Sequence, residues 1–324
     1  MDEHSFLTEI NSLPWQPNTT EDYRNALLVL ADWLEERGDP RAELIQLREW
    51  LLQAPTTQQR QNWEPRLQTL LHQGVQATVG TWETSFGMKF CWCPPGDFIM
   101  GSPFAEHDLY EDETQVPVTL SQGFWMGTYP VTQGEWEWVM ESNPWSDKTH
   151  RREGEHYPAT YIHWEDANAF CRRATEEEQQ KRRLPVGWEF ALPTEAQWEY
   201  ACRAGTTTAY CCGNDIEILQ AFAWITDYVE TIKEAHPRLV GQKRVNAWGL
   251  HDVHGNVWEW CRDGYTETRA GGLNPFVSQP DHTRAARGGS WLNDFDCCRA
   301  ANRSSYPFET CYRSLGFRAA IVPQ

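Results

Sequence analysis

Apolar residues recur at helical spacing through the first quarter of the chain and then stop doing so. Leu27, Leu30, Ala31 and Leu34 share one face of a segment that opens on Thr20 and the acidic pair Glu21-Asp22. Gly38 suits a helix C-cap, and Asp39-Pro40 suits the N-cap and first position of a second helix over about 41–53. A third helix, over about 58–72, carries Trp63, Leu67, Leu70 and Leu71. The pattern predicts a small all-α domain over 1–77, joined through 74–82 to a second domain over 78–324.

Beyond that linker the periodicity shortens, which predicts an α+β domain. Lys89 to Ser102 reads as a hairpin turning at Pro94-Pro95-Gly96-Asp97. Short strands follow at 117–120 and 124–127. Thr132 with Glu135, and Thr194 with Gln197, have the spacing of capping boxes and start two helices. A third runs from Trp164 to about Arg183, and its Glu176-Glu177-Glu178 and Lys181-Arg182-Arg183 read as a solvated end with acids before bases. Residues 206–290 are mostly irregular. They contain a predicted strand in which Trp258 and Trp260 share one face.

Composition narrows the class. A net charge of −18 argues against nucleic acid and anionic membranes as partners, because both need a basic face. No basic stretch followed by an apolar run opens the chain, and no window is long enough to span a membrane, so a cytoplasmic location is expected. The ten cysteines are then expected to be reduced. Cys91-Trp92-Cys93 would place two thiols on one face of a strand, but a zinc site needs further ligands, and buried thiols are the simpler reading. The 18 tryptophans are spread along the chain, as core anchors would be. The sequence has no P-loop, GxSxG, HExxH or dinucleotide fingerprint.

The last stretch, Arg287 to Arg318, differs from both a surface loop and a core strand. Arg287-Gly288-Gly289-Ser290-Trp291 and Gly316-Phe317-Arg318 bracket a window rich in Cys, Tyr, Phe and Ser, without Lys, Met, Gln or Trp. Trp291 and Phe317 suit core anchors. Arg299, Arg303 and Arg313 suit bidentate locks on the backbone, and Arg318 belongs to the same scaffold. Leu292, Asn293, Asp294, Phe295, Asp296, Cys297, Ser304, Ser305, Tyr306, Phe308, Thr310, Cys311, Tyr312, Ser314 and Leu315 are then candidates to face solvent and bind a ligand. Tyr, Ser and Asn are what antibody paratopes use.

Two resemblances carry further implications. Ala31-Asp32-Trp33-Leu34-Glu35-Glu36-Arg37-Gly38-Asp39-Pro40-Arg41-Ala42-Glu43 resembles a "repeat-companion" helical module, and its residues read as an αα-hairpin with an exposed acidic surface, either a docking element for another protein or a structural cap. The words MGSP at 100–103, YPVTQGEWEWVM at 129–140, LPTEAQWEYACRAGT at 192–206, NAWGLHDVHGNVWEWC at 246–261, RGGSW at 287–291 and GFRAA at 316–320 resemble the sulfatase-modifying-factor domain. Formylglycine-generating enzymes belong to that family, and the resemblance implies a C-type-lectin-like α+β fold over about 82–322.

In those enzymes two cysteines, three and eight residues after the RGGS serine, bind copper and handle oxygen and the substrate thiol. Here the serine is Ser290, the first place is Asn293 and the second is Cys298. One thiol beside an amide does not make the soft two-thiolate site Cu(I) needs, so copper is not expected. Ser290 and Cys298 remain weak catalytic candidates. Cys297 cannot replace the missing thiol if the chain is extended there, because neighbours then point to opposite sides. The sulfoxide-synthase branch needs an HxxxH pair, and residues 1–77 hold only His4 and His72.

The variable proteins of diversity-generating retroelements resemble this tail best. Their C-terminal window is rewritten at codons ending in a pyrimidine, and every residue of 292–315 except Glu309 is encodable that way. The resemblance implies a non-enzymatic binder with a variable region over 291–316. The family also implies calcium, held by the carbonyls of His254, Gly255 and Val257 and the carboxylate of Glu259. The alternative for Glu259 is an internal pair with a C-terminal arginine. His251 and His254 flank Asp252 but fall at turn positions of the family.

Overall fold

The computed structural model describes residues 2–15, 20–53, 58–103, 111–148, 152–226, 236–278 and 282–324. Its centre is a five-stranded sheet. From one edge to the other the strands are β1 (Thr81–Glu83), β2 (Lys89–Cys93), β5 (Phe124–Gly127), β12 (Ala320–Pro323) and β6 (Trp188–Ala191), so the C-terminal strand sits inside the sheet. Side-chain alternation divides two cores. Cys91, Cys93, Phe124 and Met126 enter one, and Phe90, Trp92, Trp125 and Ile321 enter the other. Both thiols of the C-x-C word therefore share a buried face, as the alternation predicts.

Four helices precede the sheet: α1 (Glu3–Ser12), α2 (Thr20–Glu35), α3 (Arg41–Gln53) and α4 (Arg60–His72). They do not close on a core of their own. Leu44, Leu47, Leu51, Leu67, Leu70 and Leu71 join the Cys91 core, whereas Phe6, Ile10, Leu27, Leu30 and Leu34 join the Trp92 core. Polar bonds seal the junction. Arg48 donates to the Thr78 carbonyl at 2.7 Å, and Glu64 accepts from the Thr207 amide at 2.6 Å.

A second sheet orders β10 (Arg303–Pro307), β9 (Thr283–Arg287), β7 (Trp258–Gly264) and β11 (Leu315–Phe317), with β7 and β11 parallel. A third holds β3 (Gly96–Met100), β4 (Val116–Leu120) and β8 (Gly272–Leu273). The expected hairpin at Pro94-Pro95-Gly96-Asp97 is not formed. β2 pairs with β1 and β5 while β3 pairs with β4, so this turn carries the chain from one sheet to another.

Both capping boxes form, on α5 (Gln133–Met140) and α7 (Glu195–Arg203). The end of α6 (Trp164–Gln180) is solvated as expected at Glu176 and at Lys181-Arg182-Arg183, but not at Glu178. Glu178 is fully buried, accepts from the Ser85 amide and hydroxyl, and pairs with Arg183 at 3.2 Å. A short α8 (Ile216–Leu219) completes the helices named here.

Candidate functional site

Main-chain hydrogen bonds hold the C-terminal window in place. The Asn293 carbonyl accepts from the Thr226 amide, the Tyr312 carbonyl from Tyr161, the Phe308 carbonyl from Trp164 and the Ser314 carbonyl from Trp258, at 2.8–3.2 Å. The Phe308 and Ala300 amides donate to the carbonyls of His282 and Ala209. None of these bonds depends on the identity of the window's side chains.

Buried ion pairs complete the frame. Arg299 grips Glu113 with both terminal nitrogens, at 2.5 and 2.9 Å. Arg303 grips Glu195 at 2.6 and 2.9 Å. Arg318 grips Glu259 at 2.8 and 3.0 Å. Glu199 takes Arg203 at 2.9 Å, Arg269 at 2.8 Å, the Gly101 amide at 2.7 Å, and Arg287. Burial would raise the Glu199 carboxyl, but the guanidinium groups of Arg203, Arg269 and Arg287 overcome it and hold the carboxyl at about 2. Glu195 is likewise held low, against burial, by Arg303 first.

Two of the expected anchors behave differently. Arg313 has no carboxylate partner among the described residues, and its guanidinium lies 5.6 Å from the centre of the Trp291 ring. Trp291 is half-buried rather than a core residue, while Phe317 is fully buried against Trp136 and Phe170.

The candidate ligand residues divide into two faces and one exception. On one face, Tyr306 lies 6.0 Å from Trp260, 6.4 Å from Trp258 and 5.9 Å from the exposed Tyr312. Asn293 joins this face by accepting from the Trp258 indole at 3.0 Å and from the Ser290 hydroxyl at 2.6 Å. Leu292 is exposed, and Asp294, Cys297, Ser304, Ser305, Thr310, Cys311 and Ser314 are partly exposed. Phe308 is partly exposed and stacks on His282.

Phe295 and Asp296 lie elsewhere. With Pro103, Thr207, Tyr210 and Ile216 they line a separate cavity of about 500 Å³. Leu315 is the exception. It is 1% exposed and pairs with Trp258 in β11, so it is a core residue and not a displayed one. Trp258 and Tyr210 were not among the sequence candidates. Only the fold brings them to the window.

The thiols are set for packing. Cys298 is fully buried, and its sulfur lies 2.4 Å from where a Cβ on Gly289 would stand, so the glycine (φ +70°) is what admits it. Burial pushes the Cys298 thiol well up. Residues 296–298 form a 3-10 turn and not the extended chain expected, yet the neighbours still diverge, with Cys297 partly exposed. Burial and then Asp294 push the Cys297 thiol up to about 11. Ser290 is buried, with its hydroxyl donating to Asn293.

The His254 ring is also structural. Its Nδ1 donates to the Cys298 carbonyl at 2.8 Å, and its Nε2 accepts from the Cys211 amide at 3.0 Å. Burial lowers its pKa to about 4, so the ring is neutral.

Residues 75–322 match the sulfatase-modifying factor enzyme 1-like domain. The chain belongs to that family. Within it, the chain is 32% identical over 179 residues to the formylglycine-generating enzyme of Streptomyces coelicolor, covering 51% of this chain and 52% of that one. It is 27% identical over 235 residues to a Bos taurus protein named inactive C-alpha-formylglycine-generating enzyme 2, covering 68% and 67%. The chain thus spans about half the length of the Streptomyces enzyme. Two solved structures share the fold. Treponema denticola variable protein 1 superposes with a TM-score of 0.64 at 24% identity, covering 76% of this chain and all of that one. PvdO from Pseudomonas aeruginosa gives 0.65 at 21% identity, covering 76% and 98%. The α+β fold expected from the sequence is the one observed.

The carboxylate expected to hold calcium, Glu259, is already committed. Both oxygens of Glu259 are taken by Arg318, and one also by the Trp198 indole at 2.7 Å, so the ion pair is the observed role of this residue. Asp252, which was not among the sequence candidates, has one buried carboxylate oxygen without a hydrogen-bond partner, and burial raises its pKa to about 6. The donors do not suit copper, because Asn293 is an amide and Cys298 is sealed in the core.

Proposed function

We propose that this protein is a non-enzymatic binder of the sulfatase-modifying-factor family. Its recognition surface is the 292–315 window, built as in the variable proteins of diversity-generating retroelements. The observation that carries the reading is the division of labour in that window. Main-chain bonds and buried arginines hold the backbone, while Leu292, Asp294, Ser304, Ser305, Tyr306 and Tyr312 are at least partly exposed and take no part in the buried arginine pairs. The partner is a protein or other ligand that covers the Tyr306–Tyr312 face, where aromatic rings give rigid contact area at little entropic cost. The outer faces of α1 to α4 suit a second protein partner, since their inner faces are already buried.

Oxygen-dependent formylglycine formation is disfavoured because the thiol pair is lacking. Calcium is proposed as a structural ion at the 252–257 turn, where Asp252 has an unpaired oxygen for a hard cation.

The test is a library in which those six positions are shuffled within the pyrimidine-ending codon set. Most variants should keep the wild-type melting temperature and should select different ligands. Widespread unfolding would reject the display reading. So would oxygen consumption with a Cys-x-Pro-x-Arg peptide. At the DNA level, the reading requires a near-copy of the codons for 287–318 beside a reverse-transcriptase gene.

A further inference from the structure

Arg313 reads as a lock in the sequence, yet the structure gives it nothing to lock. The other arginines of the tail each pair with a buried carboxylate: Arg287 with Glu199, Arg299 with Glu113, Arg303 with Glu195 and Arg318 with Glu259. Among the described residues, Arg313 has no carboxylate partner and no hydrogen-bond acceptor. Its backbone is fixed all the same. Residues 312–315 form a turn closed by the Leu315 amide on the Tyr312 carbonyl at 3.2 Å. The Tyr312 carbonyl also accepts from the Tyr161 amide, and the Ser314 carbonyl from the Trp258 amide. Arg313 stands at the first corner of that turn.

The side chain is positioned as well. The guanidinium carbon lies 5.6 Å from the centre of the Trp291 ring, within the reach at which an aromatic face attracts a cation. The Trp291 amide donates in turn to the Asn256 carbonyl at 3.0 Å. Contact with a ring face spends none of the N–H donors of a guanidinium, so the planar fork remains available. That fork matches a carboxylate through two parallel hydrogen bonds. Arg313 and Trp291 are partly exposed, and their chain neighbours Tyr312 and Leu292 are exposed. The net charge of −18 repels an acidic partner at a distance, but physiological salt screens exposed charges beyond about 8 Å. The short-range pairing with Arg313 is what counts at contact. We infer that Arg313 sets the specificity of the window, and that the surface takes a protein segment carrying a carboxylate beside an apolar side chain. The carboxylate takes the fork, and the apolar neighbour rests on Leu292 and Tyr312. The inference rests on the display reading and names the chemistry of its ligand.

The test pans the full chain against a phage-displayed library of random dodecapeptides. Enriched peptides are then labelled with fluorescein and measured by anisotropy at physiological salt. Aspartate or glutamate beside an apolar residue is expected to dominate the enriched set. Arg313→Gln should weaken these peptides roughly 10- to 100-fold, and Arg313→Lys less. Replacing the peptide's acid by its amide should cost as much on wild type and almost nothing on Arg313→Gln, a coupling that a merely structural role would not produce. Because Arg313 holds no carboxylate, Arg313→Gln should keep the wild-type melting temperature. Tyr312→Ala should weaken every enriched peptide. The inference is overturned if the enriched peptides carry no acid, or if the acid-to-amide change costs as much on Arg313→Gln as on wild type. It is also overturned if Arg313→Gln lowers the melting temperature as far as Arg303→Gln does. Peptides that depend on Tyr312 but not on Arg313 overturn it and leave the display reading standing. Peptides that depend on neither, or a library from which nothing enriches, overturn both.

Discussion

Glu199→Gln should be among the most damaging single changes in the protein, and its signature should lie in the acid limb of stability. Glu199 is fully buried and receives Arg203, Arg269 and Arg287 together with the Gly101 amide. A carboxyl held at about 2 instead of its ordinary 4.5 contributes about 3 kcal/mol. The sign follows from the depressed pKa. The contribution is complete above about pH 5 and is lost as pH falls towards 2. Removing the charge also leaves the buried Arg203 and Arg269 without their carboxylate, and breaking a buried pair costs about 3–5 kcal/mol. Urea unfolding at neutral pH should therefore show a loss of about that size, unless the domain fails to fold outright. Measured between pH 6 and about pH 3, wild type should lose stability more steeply than Glu199→Gln. If the variant is as stable as wild type, or if its acid limb is equally steep, the guanidinium cluster is not what holds the window's frame.

Leu315→Ala should cost about 2–5 kcal/mol as a core truncation, whereas Tyr312→Ser and Leu292→Ser should stay within about 0.5 kcal/mol; equal costs would erase the distinction between core and display. In the native protein only Cys297 and Cys311, the two partly exposed thiols, should react with a thiol reagent at neutral pH, and Cys297 slowly because its pKa is about 11. The other eight should appear only on unfolding. Asn293→Cys should not create a copper site, because Cys298 stays sealed beneath Gly289, and it should destabilise the fold by stranding the Trp258 indole; tight Cu(I) binding by this variant would contradict the geometry. Asp263, raised to about 7 by burial and then by Glu195, should make stability fall as pH rises from about 4 through 7, the reverse of Glu199. Stability that is flat across that range would refute the assignment.

Features with a local cause were legible in the sequence. The capping boxes at Thr132 and Thr194 are fixed by residues three apart, and the face shared by Cys91 and Cys93 follows from strand alternation alone. The hairpin at Pro94-Pro95 was misread because a turn signal specifies a reversal and not the strand that will be met after it. Glu178 reads as surface from its neighbours but finds Ser85, distant in sequence. At the candidate site the arginines were legible as locks, but their partners were not. Arg299 meets Glu113, Arg303 meets Glu195, and Arg287 meets Glu199, all far apart along the chain.

That long-range pairing bears on the display reading. A window whose frame is specified by carboxylates outside it can change its own residues without rewriting the frame. The positions where it does specify the fold are its buried side chains, among them Cys298, Arg299, Arg303 and Leu315. Leu315 was misassigned for the same reason. Its residue type belongs to the permitted set, and only its pairing with Trp258 removes it from the surface. Variation at a true display position should therefore be limited by the ligand. Variation at Leu315 should be limited by the volume of the core, and a library that sorts these positions by stability alone should recover the boundary between them.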